Sequence, residues 1–169
     1  WPGRRFAGVV HAAIVLQDRS LQSMDEEVFR AALRAKVDVS LRLMQAFGSN
    51  PPDLFLFFSS MQSFSMAAGQ SNYAAGCTFK DACAAHMRQV LPSAVKVMNW
   101  GWWGSVGVVA SDEYRRRMAA NGIGSLEPPQ AFVALDGLLG GAADQLVALA
   151  TTHPSVVAHL TAGVQAHAH

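Results

Sequence analysis

The sequence has few of the features that mark secreted or membrane proteins. Its two cysteines, Cys77 and Cys83, form no CxxC pair, so they indicate neither a disulfide framework nor a zinc site. Every long apolar stretch is interrupted by polar or charged residues before about 18 positions, and the first residues lack the apolar segment of a signal peptide. These absences favour a cytosolic protein in a reducing compartment.

The sequence also has almost no excess of positive or negative charge. Thirteen Lys and Arg residues face 12 Asp and Glu residues, and the net charge of +1 does not favour nucleic-acid binding. Half of the 169 residues, 51%, are hydrophobic, which excludes a disordered chain. The length corresponds to about one domain that can bury a core.

Short apolar runs alternate with amphipathic segments along the chain. Strands are expected at residues 7–15 (AGVVHAAIV), 54–60 (LFLFFSS), 95–100 (VKVMNW) and 146–151 (LVALAT). Helices are expected at residues 25–47, 71–89, 112–120 and 129–139. Such alternation predicts a Rossmann-like, doubly wound α/β fold, in which helices cover both faces of a parallel sheet.

Four strands make a thin sheet for such a fold. The chain reaches its first strand almost at once and has no GxGxxG, the glycine motif of dinucleotide-binding folds. The nearest match is Gly101, Gly104 and Gly107, but these glycines have the spacing GxxGxxG and follow the third strand instead of the first. We therefore expect the sheet to be incomplete at its N-terminal side. Residues 1–152 are expected to be the C-terminal part of a larger domain, and residues 153–169 a disordered tail or linker.

A serine at a strand end and a tyrosine at a helix start are the most informative pair. Ser60 and Tyr73 are separated by 13 positions. Reduction of a carbonyl needs a proton donor, a second hydrogen-bond donor, and a cation that lowers a phenol's pKa from about 10. Tyr73, Ser60 and a lysine would supply these groups. Spacing alone leaves open that Tyr73 is a half-buried packing residue.

Several separated motifs resemble the ketoreductase (KR) domains of modular polyketide synthases, a branch of the short-chain dehydrogenase/reductase superfamily. The sequences of these motifs are most similar to those of ketoreductases from assembly lines whose acyltransferase acts in trans. These motifs are GVVHAAIVLQD at Gly8 to Asp18, RAKVD at Arg34 to Asp38, LFFSS ending at Ser60, GQSNYAAG around Tyr73, and MNWGWWGSVG at Met98 to Gly107.

The resemblance assigns roles to three residues. It implies that Tyr73 donates the proton, that Ser60 holds the carbonyl oxygen, and that Lys36 is the lysine of the site. Lys80, seven residues after Tyr73, is the competing lysine. One departure is Cys77, which stands where the family usually has an asparagine; a thiol is a weaker hydrogen-bonding group.

The resemblance also implies a stereochemical class. Asp18 falls where the family carries a diagnostic loop aspartate, although Gln17 replaces the first aspartate of that motif. Ser65 stands where the opposite class has a tryptophan. The pattern implies a B-type reductase that gives a D-configured β-hydroxyl.

The implied reaction is NADPH-dependent reduction of a β-ketoacyl thioester on an acyl carrier protein. We predict no metal and no nucleic-acid or membrane partner. Two alternatives stay open: a catalytically inert KR-like scaffold, favoured by Cys77, and a free-standing short-chain alcohol dehydrogenase that depends on Lys80. The residues expected at the cofactor are His11, Ala12, Ala13, Asn99, Trp100 and Gly101.

Overall fold

The structure is a computed structural model and describes residues 5–65, 67–106, 109, 111–153 and 155–161. The strands are β1 (Gly8–His11), β2 (Leu54–Ser60), β3 (Ala94–Trp100), β4 (Ile123–Gly124), β5 (Gln145–Ala148) and β6 (Ala150–Thr151). The helices are α1 (Glu26–Arg34), α2 (Val37–Phe47), α3 (Ser71–Val90), α4 (Asp112–Ala120), α5 (Pro128–Gly140) and α6 (Ser155–Thr161), together with short 3-10 turns at Leu21–Ser23 and Met61–Ser63.

A four-stranded parallel sheet in the order β1-β2-β3-β5 forms the centre of the molecule. Alternate β2 residues face opposite sides: Phe55 and Phe57 pack with Met87 of α3, whereas Leu56 packs with Leu138 of α5. Helices α1 and α2 pack on α3. Helices therefore cover both faces of the sheet, which confirms the predicted α/β fold class.

The first strand is shorter than expected. The predicted strand over residues 7–15 ends at His11, the last residue of β1 to pair with β2. The chain turns there, because the Ala13 amide donates to Nδ1 of His11 at 3.4 Å. The prediction was wrong beyond His11 because residues 12–15 are apolar for another reason: Ala12 and Ala13 line a cavity at the end of the sheet.

The predicted single helix over residues 25–47 is two helices. The α1 helix ends before Ala35, and the Lys36 amide donates to the Leu33 carbonyl at 2.9 Å, in a tight turn. The break turns Lys36 into the protein, where its residue is only 1% exposed. Gly76 of α3 provides the space, since a Cβ there would lie 2.7 Å from Cδ of Lys36.

The predicted strand over residues 146–151 is also divided. Ala148, the last residue of β5, pairs with Trp100, where β3 ends. Beyond that point β3 offers no partner, so the chain changes direction and β6 pairs antiparallel with β4. The apolar run was read correctly as extended chain, but its two halves belong to different sheets.

A small third cluster closes the carboxyl end of the sheet. It joins Met61, Trp102 and Met118 to Ile123, and Val156 of α6 packs on it. The α6 helix lies inside the stretch for which the sequence predicts a disordered tail; residues 162–169 of that stretch are outside the described part. Among the described helices, none is long and apolar enough to cross a membrane.

Candidate active site

The carboxyl ends of β1, β2 and β3 meet at one cavity of about 270 Å³. In parallel sheets this edge is where ligands bind, because loops and helix starts converge there. Ser60 ends β2, and Tyr73 lies in the first turn of α3. Both residues line the cavity together with Lys36, so three residues far apart in sequence reach one space.

The side chains of Tyr73 and Ser60 are neighbours in the cavity. Burial is the largest influence on Tyr73 and raises the pKa of its phenol, while the nearby Ser60 hydroxyl acts in the opposite direction. The phenol therefore keeps its proton at neutral pH, the state that a proton donor requires. Ser60 is itself oriented, since its Oγ accepts from the Gln62 amide at 3.3 Å.

The lysine beside Tyr73 is Lys36. Its Nζ lies 4.3 Å from the centroid of the Tyr73 ring. Lys80 is equally buried, but its Nζ donates to the Phe58 carbonyl at 2.8 Å. A cation at the ring stabilises developing negative charge on the phenol, so the geometry suits Lys36 for the role that the family resemblance implies.

Cys77 lies one helical turn after Tyr73 and is fully buried. The thiol is a neighbour of both Tyr73 and Lys36 and influences the pKa of the Tyr73 phenol. Burial raises the pKa of the Cys77 thiol, and the Lys36 charge opposes that effect. Cys77 therefore stays a neutral thiol between the phenol and the ammonium group, where the family usually has an amide.

Four of the six expected cofactor residues line the cavity. They are Ala12 and Ala13, just after β1, and Trp100 and Gly101, at the end of β3. A Cβ on Gly101 would lie 2.7 Å from the Ala148 carbonyl oxygen. The position therefore accepts only glycine while β3 and β5 keep this separation.

The His11 side chain is used within the protein. Its Nδ1 accepts from the Ala13 amide, so the proton is on Nε2, which is 3.5 Å from the Lys36 carbonyl oxygen. Burial, with smaller contributions from Lys80 and Lys36, lowers the pKa of His11 to about 4. His11 thus supports the turn that carries Lys36 and stays neutral near pH 7.

The Asn99 side chain faces α3. Its Nδ2 donates to the Ser60 carbonyl at 3.0 Å and to Asp81 at 2.9 Å, while its Oδ1 accepts from Gln145 at 2.8 Å. Asn99 is fully buried. The side chain thus links β2, β3, β5 and α3 behind Ser60.

The loop with Asp18 is tied to the cavity mouth by three residues that the sequence analysis missed. Gln70 donates from Nε2 to Asp18 at 2.8 Å and to the Tyr114 hydroxyl at 2.5 Å, and that hydroxyl is 3.4 Å from the same Asp18 oxygen. Nδ2 of the Asn72 side chain donates to the Gln17 backbone carbonyl at 2.9 Å. Gln70, in the GQSNY motif, could have been found from sequence, whereas Tyr114 gave no signal.

Two arginines of α4, Arg115 and Arg117, make contacts within the protein. Arg117 donates to the Ala68 carbonyl at 2.9 Å, and Arg115 lies 3.7 Å from the Asp112 carboxylate. Trp102 donates from Nε1 to the Val109 carbonyl at 2.9 Å and lines the cavity with Trp103. Within the described residues, no three His, Cys, Asp or Glu side chains are grouped to hold a metal ion.

Comparison with known proteins identifies the class of this fold and site. The KR domain family matches residues 2–105, and the chain belongs to that family. It is 60% identical over 144 residues to polyketide synthase PksN of Bacillus subtilis and 48% identical over 153 residues to polyketide synthase ThaG of Burkholderia thailandensis. These alignments cover 85% and 90% of this chain but 3% of each relative.

The structural comparison agrees. An A-type ketoreductase from a modular polyketide synthase superposes with a TM-score of 0.81 at 28% identity, covering 90% of this chain and 33% of that one. The chain thus belongs to the ketoreductase domains of polyketide synthases and spans about a third of this solved relative, and the resemblance drawn from the motifs is confirmed. The family places it among the oxidoreductases that use a nicotinamide cofactor.

Proposed function

We propose that this chain carries the catalytic residues of an NADPH-dependent reductase that converts a carrier-bound β-ketoacyl thioester into a β-hydroxyacyl thioester. The observation that supports it most directly is the convergence of Tyr73, Ser60 and Lys36 in one cavity, with Lys36 Nζ 4.3 Å from the centroid of the tyrosine ring. These three side chains supply the proton, the second hydrogen bond and the cation that carbonyl reduction requires.

The cavity fits the reactive end of a nicotinamide cofactor. Its wall is mostly apolar, and the small side chains of Ala12 and Ala13 leave room beside Trp100 for a flat ring. Backbone groups at the ends of β1 and β3 would hold the nicotinamide end of the cofactor. When bound, the reduced cofactor supplies a hydride to the β-carbonyl carbon.

The protein's part of the reaction is proton delivery. As the carbonyl π bond breaks, Tyr73 gives its Oη proton to the oxygen, which completes the hydroxyl. Ser60 donates a hydrogen bond to the same oxygen while negative charge builds on it, and Lys36 stabilises the tyrosinate left behind.

The stereochemistry proposed is B-type. Asp18 acts through Gln70 and Tyr114, both of which line the cavity near Tyr73. A fixed loop on that side restricts the direction from which the β-ketoacyl chain reaches Tyr73. The substrate's thioester arm, and an acyl carrier protein as its bearer, follow from the polyketide synthase relatives.

The test is cofactor consumption by the intact protein with a β-ketoacyl N-acetylcysteamine thioester, with NADPH and NADH measured side by side. We expect turnover with NADPH at least about tenfold faster than with NADH. Turnover favouring NADH would contradict the cofactor assignment. No turnover despite NADPH binding would favour an inert scaffold, and Cys77→Asn is then the first variant to assay, since Cys77 contacts both Tyr73 and Lys36.

A further inference from the structure

Lys80 is a second fully buried lysine that the proposed mechanism does not use. It lies on α3 two turns after Tyr73, and its residue is 0% exposed. An amine removed from water costs several kcal/mol unless it is hydrogen-bonded or loses its charge. A lysine at such a position needs a physical reason.

The hydrogen bond of Lys80 falls at a particular place on β2. Pairing of β1 with β2 ends at His11 and Phe57, but β2 continues to Ser60. Lys80 Nζ donates at 2.8 Å to the carbonyl of Phe58, the next residue after that pairing ends and two residues before Ser60. The amine thus anchors the strand end that presents Ser60.

The titratable groups around Lys80 come from three parts of the fold. Lys36 lies at the turn between α1 and α2, Cys77 and Asp81 are on α3, and His11 is on β1. Burial and the Lys36 charge lower the pKa of Lys80 to about 7, while Cys77 and Asp81 act weakly in the other direction. Lys80 therefore readily becomes neutral.

We propose that Lys80 is a positioning residue for the reductase reaction: its amine holds the Phe58 carbonyl, and so the Ser60 strand end. This inference rests on the proposed function for its effect on turnover. A neutral amine still donates a hydrogen bond, so the anchoring does not require the charge. The role is distinct from that of Lys36, because Lys80 acts through the backbone that carries Ser60.

Two substitutions separate the hydrogen bond from the charge. Lys80→Gln keeps an uncharged donor, and Lys80→Met keeps similar bulk without a donor. We expect Lys80→Met to lower kcat about tenfold or more with little change in KM, because the reacting groups lose their alignment. Lys80→Gln should recover kcat to within about threefold of the parent. Lys96→Met, at the third lysine of the chain, is the matched control.

The outcomes distinguish this inference from the proposed function. Parent-like kcat in Lys80→Met, or equal losses in the Gln and Met variants, would overturn the positioning role while Tyr73→Phe still tests the chemistry.

A second measurement, of stability against pH, is independent of turnover. The pKa of Lys80 in the folded protein lies below its value in the unfolded chain, so the unfolded chain binds more protons between about pH 7 and 10.5. The free energy of unfolding should therefore rise with pH over that range. The rise should disappear in Lys80→Met; an identical pH dependence in parent and variant would refute the proposed burial of a neutral amine.

Discussion

Lys36 lies directly over Gly76, and a Cβ on Gly76 would be 2.7 Å from Cδ of Lys36 and 3.3 Å from its Cβ. The two residues belong to different elements, since Lys36 occupies the turn between α1 and α2 and Gly76 lies within α3. The missing side chain in α3 is what allows the lysine to reach the Tyr73 ring. Gly76 thus contributes to the site because its lack of a side chain leaves space for Lys36.

Gly76→Ala should therefore lower kcat, about tenfold, by pushing Lys36 away from Tyr73. The variant should remain folded, because alanine is a better helix former than glycine. Gly137→Ala on α5 is the matched control, since a Cβ at Gly137 meets nothing within 4 Å. Equal kcat for both variants would show that the position of Lys36 is not limited by Gly76.

Lys36→Met should lower kcat about a hundredfold or more, because the tyrosinate formed in the reaction loses its neighbouring cation. The loss should exceed that of Lys80→Met, measured in the same assay, because only Lys36 lies at the Tyr73 ring. A larger loss in the Lys80 variant would instead favour the reading of the chain as a free-standing alcohol dehydrogenase that depends on Lys80.

His11 should make the fold less stable in mild acid. Its pKa is lowered from 6.5 to about 4, so between these values the unfolded chain binds more protons than the folded one, and stability falls as pH falls. The unfolding free energy should drop by about 1 to 2 kcal/mol between pH 7 and pH 5. Urea titrations of His11→Gln should show a smaller drop, whereas the exposed His86→Gln should behave like the parent.

Asp18→Ala should reduce stereochemical control. The substitution removes the carboxylate that accepts from Gln70 and Tyr114, and hydrogen bonds to a charged group contribute about 1.5 to 3 kcal/mol. The ratio of the two β-hydroxy products, measured by chiral chromatography, should fall about tenfold. Asp136→Ala, on the exposed side of α5, should leave it unchanged. An unaltered product ratio in Asp18→Ala would show that Asp18 does not control the stereochemistry of the product.

Sequence patterns predicted the elements of the fold better than their ends. The apolar run Leu54 to Phe58 in β2 is continuous because the strand is buried between two helical layers, and this made the parallel sheet recognisable. The break at Lys36 left no trace in the pattern: Leu33, Val37 and Leu41 keep a spacing of four residues across it. A tertiary contact, the space over Gly76, decides where that helix is interrupted.

The site was predictable in part. Ser60 and Tyr73 could be proposed because the end of an apolar run marks a strand end and the following helical segment marks a helix start. The bonds among Asp18, Gln70 and Tyr114 join residues up to 96 positions apart, and no local pattern marks such a network. Likewise, nothing in the sequence distinguishes a solvated helical lysine from the buried Lys80.

The most direct test of the account is the rate of NADPH-dependent reduction in the intact protein carrying Tyr73→Phe. The phenylalanine keeps the ring that Lys36 contacts and removes only the hydroxyl and its proton. The account predicts that kcat falls by about a hundredfold or more while NADPH binding persists. A kcat within a few fold of the parent would contradict the assignment of Tyr73 as the proton donor.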